Sequence, residues 1–278
     1  MTQSIAHLGP PGTYTEAATL AYMHHLATEK SSNSLCPYPN IAQTVYSVAQ
    51  GKTDLAVVPV ENSIEGSVAI TLDLLWKLDQ LQIQQSLILP IRHTLLSRSS
   101  TLETITIVYS HPQALAQCQQ WLERFLPGVK LVPTNSTTEA LHYLDEDPTA
   151  AAIASERAAQ LYELPILASA LNDYPDNCTR FLVLGRQPST SGSHTSLALS
   201  TPTNVPGALV KPLQVFAERG INMSRIESRP TKRLLGEYLF YIDIEADASQ
   251  AEVKAALEEL ASYTETLKIF GSYNVLSV

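Results

Sequence analysis

The sequence predicts an α/β protein in two parts, an alternating strand-and-helix domain followed by a smaller domain of βαββαβ order. Three observations carry that expectation. Over residues 1–185 short apolar runs alternate with amphipathic stretches. Residues 186–194, RQPSTSGSH, then form a polar linker containing Ser, Gly and Pro. Beyond it the order of apolar runs changes, and 278 residues suffice for roughly two domains, each with its own core.

In the first part, strands are expected over 5–8, 55–60, 82–97 with interruptions, 104–109, 129–132 and 150–154, where aliphatic and β-branched residues concentrate. The segment 172–185, NDYPDNCTRFLVLG, reads as a polar turn cluster running into a further strand. It puts Thr179, Arg180 and Phe181 where loop becomes strand. A donor hydroxyl, a fixed cation and an aromatic wall could there hold a small anion, although each residue type is ordinary in a strand.

In the second part the order is strand 195–200, helix 206–219, strand 221–228, strand 238–245, helix 250–262 and strand 267–273. This is the ferredoxin-like arrangement. Ser249 and Glu252 have capping-box spacing ahead of the second helix, and Val253, Ala256, Leu257 and Leu260 share one of its faces.

Composition narrows the class. A formal net charge of -9, with no Lys/Arg cluster, argues against a nucleic-acid partner but not against a small anion held by local positive potential. No run approaches the ~18 apolar residues of a membrane span, and the first residues lack the basic and apolar blocks of a leader, so a cytoplasmic location is the default expectation. Cys36, Cys118 and Cys178 are odd in number and far apart, which fits reduced thiols. Cys178 has no sequence-local group to activate it and reads as a bystander.

Four strand-to-helix junctions carry one physical device. Thr13 with Glu16, Ser110 with Gln113, and Ser136 with Glu139 have capping-box spacing; the fourth, VVPVENSIEGSV, runs from a strand into Asn62, Ser63 and Gly66. Each offers free backbone N–H groups and a short polar side chain, and in open α/β sheets ligands lie beyond the carboxyl ends of strands. Taken singly, each junction is more often purely structural. His93 and His111 carry no spacing that commits them to a role, and none resembles a metal-ligand set. There is no GxSxG elbow and no Walker loop, and GPPGTY lacks the spacing of a dinucleotide fold, so no cofactor is expected.

Together these segments resemble prephenate dehydratase: GPPGTYTEAA, PVENSIEG, SHPQAL and NDYPDNCTRF match that family's motifs in order, with Tyr14 and Thr15 standing where the family usually shows Phe and Ser. The stretch GALVKPLQVFAERGINMSRIESRP is similar to the phenylalanine-binding ACT domain. The resemblance implies a periplasmic-binding-protein-like catalytic domain over 1–188, with lobes of 1–82 plus 165–185 and of 83–164, followed by an ACT domain over 194–278. It implies that Thr179 polarises the leaving hydroxyl, that Arg180 grips the side-chain carboxylate and that Phe181 excludes water. Thr13, Asn62, Ser63, Gly66, Ser110, His111 and Gln113 would surround the substrate.

The effector pocket would use Asn204, Pro206, Gly207, Ala208, Leu209 and Asn222 with Glu227, Ser228, Arg229 and Pro230. Pairing of ACT domains edge to edge implies a homodimer or homotetramer, and no chorismate mutase activity is expected. The resemblance leaves open arogenate as substrate, and a non-catalytic amino-acid sensor is the rival of a different class. One conflict stands within it: successive strand residues face opposite ways, so Thr179 and Arg180 share a cleft only if the chain bends between them.

Overall fold

The computed structural model describes residues 3–26 and 33–278. Their strands are β1 Gln3–Leu8, β2 Asn33–Tyr38, β3 Leu55–Asn62, β4 Gly66–Ser67, β5 Gln82–Pro90, β6 His93–Ser97, β7 Ile107–Ser110, β8 Lys130–Pro133, β9 Ala150–Ser155, β10 Ile166–Ser169, β11 Cys178–Gly185, β12 His194–Ser200, β13 Met223–Pro230, β14 Tyr238–Ile244 and β15 Thr266–Ser277. The helices are α1 Tyr14–Leu26, α2 Ile41–Ala49, α3 Ala69–Lys77, α4 Pro112–Ala116, α5 Gln119–Phe125, α6 Glu156–Leu161, α7 Val210–Glu218 and α8 Ala251–Ser262.

Two sheets result, and they make a two-lobed α/β part followed by a ferredoxin-like part. The smaller sheet has the order β10-β6-β9-β7-β8, and the larger runs β13-β14-β12-β15-β5-β11-β3-β1-β2 with β4 beside β3. The apolar run of β3 over residues 55–60 suits its place between β1 and β11, with both faces covered. β2 lies at the sheet edge, where Pro37 does no harm, and for that reason its sequence carries little strand signal.

The chain crosses between lobes twice. The 82–97 run breaks after Pro90 and delivers β5 to the large sheet but β6 to the small one, and β10 still belongs to the small sheet. The crossings therefore fall at 90–93 and 169–178, later than the expected limits of 82 and 165. Apolar patterning marks strands well but does not say which sheet a strand joins.

Two local expectations also change. α7 begins at Val210, not at residue 206, because Gly207 takes φ +82° and residues 205–210 close successive turns before the helix. α8 is capped at Gln250, while the Ser249 N–H donates to Asp247, so the expected capping box does not form. Its apolar face is as expected, with Val253, Ala256, Leu257 and Leu260 buried against β12 and β14 residues.

The other face of the ferredoxin-like sheet packs on the first lobe. Leu239, Tyr241, Phe270 and Tyr273 share a core with Leu72, Leu75, Ile83 and Leu182. β15 serves both parts: its first half pairs with β12, and Asn274–Ser277 then pairs in parallel with β5. The linker runs close against this strand, where a Cβ on Gly192 would lie 2.2 Å from the Tyr273 carbonyl carbon.

Candidate active site

A cleft of about 800 Å³, in the size range of small-molecule sites, opens at the junction of the lobes. The first lobe lines it with Thr13, Asn62, Thr179 and Phe181, the second with His93, His111, Gln113 and Gln117. Among the described residues its lining contains no Lys or Arg.

The strand geometry of β11 decides the fate of the 179–181 triplet. The pleat is kept through this segment, so Thr179 and Phe181 face the cleft while Arg180 points to the opposite side. A register shift between Arg180 and Phe181 is taken up on β3, which has one extra residue there. Arg180 therefore does not grip a ligand in the cleft. Its Nη2 lies 2.5 Å from Asp243 of the ferredoxin-like part and its Nε 3.7 Å from Glu61. Burial alone would lower the guanidinium pKa, but Asp243, Tyr273 and Glu61 together more than offset it, and the net shift is upward. Asp243 also accepts from Ser196 at 2.5 Å.

Thr179 ends a row of buried hydrogen bonds. Asn62 Oδ1 accepts from the Ile64 and Glu65 N–H groups at 3.0 and 3.1 Å, and its Nδ2 lies 2.9 Å from both Thr179 Oγ1 and Asn177 Oδ1. Asn177 Nδ2 is 2.9 Å from Gln117 Oε1, which is 3.0 Å from His93 Nε2, and His93 Nδ1 is 2.8 Å from the Tyr14 hydroxyl. The row passes from the first lobe into the second and back. Burial holds the His93 pKa below its ordinary value, partly offset by the bond to Gln117.

The remaining expected residues divide. The Thr13 hydroxyl donates to the Leu8 carbonyl and accepts from the Glu16 N–H, while the Glu16 carboxylate accepts from Gly12 N–H, so this capping device forms at the cleft wall. His111, not Ser110, caps α4: its Nδ1 accepts from Gln113 N–H at 3.3 Å, which leaves Nε2 as the protonated nitrogen of the neutral ring. Ser110 is wholly buried and donates to the Ile153 carbonyl, so it does not reach a ligand. Ser63 exchanges hydrogen bonds with the Cys178 backbone, and neither it nor Gly66 lines the cleft. The third pair keeps its expected bond, with Ser136 accepting from Glu139 N–H, but it opens a 3₁₀ turn over Glu139–Leu144 instead of an α-helix.

Sequence reasoning missed Tyr14, Gln117 and Asn177 and left His93 uncommitted. Gln117 had a usable signal, for it stands four residues after Gln113 and so shares its helix face. Asn177 had none, because an Asn in a polar turn is ordinary.

The expected effector residues fall on two faces of the edge strand β13. Glu227 is paired with Arg225, and Arg229 forms a bidentate pair with Asp73 on α3 at 3.0 and 3.2 Å, so both are turned toward the catalytic part. Ser228 and Pro230 lie exposed on the alternate face with Ile226, and Asn204, Pro206, Gly207, Ala208 and Leu209 precede α7. Asn222 Nδ2 donates to Glu245.

A two-lobed cleft lined, Glu139 aside, mostly by neutral groups and fused through the back of β11 to a ferredoxin-like sheet defines a small-molecule catalytic domain carrying a regulatory ACT domain. Residues 195–262 match the ACT domain family. Residues 5–189 match the prephenate dehydratase family, and the chain belongs to it. It is 41% identical over 97% of its length to a bifunctional chorismate mutase/prephenate dehydratase of Aquifex aeolicus, covering 73% of that protein. It is 36% identical to a prephenate dehydratase of Lactococcus lactis, with 99% of this chain and 98% of the relative covered. The crystal structure of the Arthrobacter aurescens prephenate dehydratase in complex with L-Phe superposes with a TM-score of 0.86 at 35% identity, covering 98% of this chain and 90% of that one.

Proposed function

We propose that this chain converts prephenate to phenylpyruvate, water and carbon dioxide, under control of L-phenylalanine bound at the ACT domain. The observation that carries the catalytic reading is the Thr179 hydroxyl, which is fixed by Asn62 and open to the cleft. In the reaction the bond from the ring to its carboxylate breaks and its electron pair enters the ring. The ring-to-hydroxyl bond then gives up its pair to oxygen, which gains a proton and leaves as water. Thr179 donates a hydrogen bond to that departing oxygen while the proton comes from solvent, since an alcohol is too weak an acid to supply it.

The rest of the site suits this chemistry. A guanidinium on the ring carboxylate would stabilise the ground state against loss of carbon dioxide, and among the described residues the cleft lining offers none. The side-chain carboxylate is held instead by His111 Nε2–H, the Gln113 amide and the N-terminus of α1 beside Thr13. Phe181 walls the cleft and belongs to the core behind it.

For regulation, β13 is an edge strand carrying the exposed Ile226, and Val205 and Val210 of the same domain are also exposed apolar side chains. A second copy paired there would cover this edge, and phenylalanine would bind beside the turn at Gly207. The assembly is thus a homodimer, or a homotetramer built from two. No helix among the described residues is long and apolar enough to cross a membrane, and with free Cys36, Cys118 and Cys178 we place the protein in the cytoplasm.

The test is to offer purified protein prephenate and arogenate separately and to quantify phenylpyruvate and phenylalanine. Phenylpyruvate from prephenate is expected; product from arogenate alone would reassign the substrate, and none from either would favour the amino-acid sensor. Saturating phenylalanine should change turnover or the sedimentation coefficient, and constancy of both would remove the regulatory part.

A further inference from the structure

We infer that His93 is a positioning residue: through Gln117, Asn177 and Asn62 it fixes which way the Thr179 hydroxyl points its proton. This deepens the reading of Thr179 as the donor in the cleft. The inference follows from the number of donors and acceptors on each side chain in the row. Asn62 is the anchor, because Oδ1 faces two backbone N–H groups, of Ile64 and Glu65, and only an oxygen can accept from both. Its Nδ2 is thereby turned to Thr179 and Asn177. An amide nitrogen has no lone pair to offer, so Thr179 Oγ1 must accept from it, and the hydroxyl's own proton is left for the cleft.

The same constraint runs outward from Asn62. Asn177 Oδ1 accepts, so its Nδ2 donates to Gln117 Oε1. Gln117 Oε1 is then an acceptor, and the ring nitrogen 3.0 Å away, His93 Nε2, must carry a hydrogen. With the buried ring neutral, Nδ1 is a lone pair and takes the Tyr14 hydroxyl proton at 2.8 Å, in competition with the Arg92 carbonyl, which lies at the same distance from that hydroxyl. His93 is 2% exposed and Gln117 5%, so water does not readily replace either partner. Gln117 Nε2 also faces Asn62 Oδ1, but at 3.5 Å this contact is too long to hold the amide by itself, so without the His93 N–H Gln117 can turn its amide over and present N–H₂ to Asn177. Asn177 would then have to turn as well and set an amide nitrogen against Asn62 Nδ2. The conflict is relieved only by loosening Asn62, and with it the grip on Thr179.

Two measurements on the full-length chain test this. The first is the ring ¹⁵N spectrum of protein labelled at histidine, with the His93 signals assigned by their loss in His93→Gln. A proton on Nε2 is expected, and a neutral ring protonated on Nδ1 would overturn the inference whether or not the protein turns over prephenate. The second is steady-state kinetics of folded variants. His93→Leu should lower kcat on prephenate about tenfold with KM nearly unmoved, and His93→Gln, whose amide nitrogen can occupy the Nε2 position, should recover most of the loss. Equal losses in the two variants, or no loss in His93→Leu, would reduce His93 to a packing residue. Protein that shows the Nε2 proton but yields no phenylpyruvate would refute the prephenate reading alone.

Discussion

The two sides of β11 are built on opposite electrostatic plans although the residues that define them are neighbours. On the cleft side Thr179 sits among neutral groups whose hydrogen bonds are directional, and the described lining has no Lys or Arg. On the far side Arg180 sits with Asp243, Glu61 and Arg225 in a partly buried ionic cluster between the two parts of the chain. The pleat of a single strand separates the two. A cation close in sequence to a reacting hydroxyl can thus serve the joint behind the site, leaving the site itself free of a charge that would hold back decarboxylation.

The largest loss is expected on the cleft side. Thr179→Val, which keeps shape and removes the hydroxyl, should lower kcat by about 10³-fold with the fold intact by circular dichroism, and Thr179→Ser should be much milder. From the other side, Asp243→Ala strands Arg180 with Glu61 as its remaining anion, at 3.7 Å, and should reduce the unfolding free energy by about 3 kcal/mol in urea titrations. Phenylalanine response should weaken in the same variant if Arg180 carries the effector signal to β11. A gentler cut at the joint is Tyr241→Phe, which removes the 2.9 Å bond to the Leu72 carbonyl and should cost about 1 kcal/mol without changing KM.

The effect of pH is smallest near neutrality and sharpens the contrast. His7 and His93 both have pKa values lowered by burial, partly offset for His7 by the Leu8 carbonyl and Glu16. Below about pH 6.5 the unfolded chain binds protons that the folded chain refuses, so unfolding is favoured. Their contribution to stability is complete above that pH and is lost as pH falls toward the folded-state values. Thermal melts should therefore shift downward below pH 6.5, and His93→Leu should flatten that slope.

Much of this was legible in the sequence because it follows from local rules. The alternation of strands and helices and the buried face of α8 all come from side-chain periodicity. The bonds of Thr13 and Glu16 at the start of α1 follow their spacing in the sequence. What was not legible depends on contacts between distant segments. Arg180 looked like a ligand clamp because its partner, Asp243, is 63 residues away on another domain. Ser110 had the spacing of a cap, yet the Ile153 carbonyl on the adjoining strand takes its proton. Gln117, Asn177 and Asn62 become one device only when the second crossing of the chain brings residue 177 back beside residue 62.

β15 also has a bearing on how the protein can be divided. Its last residues, Asn274–Ser277, are a catalytic-lobe strand encoded after the regulatory domain, and they fill the edge of β5 that would otherwise be open. The border drawn by the linker at 186–194 is thus not the border of the folded units. A chain cut at the linker would leave behind a sheet with a bare, partly apolar edge, inviting association with whatever strand is nearest. The regulatory module is bracketed in the chain by strands of the catalytic lobe, and swapping it for another would require keeping those four residues in place.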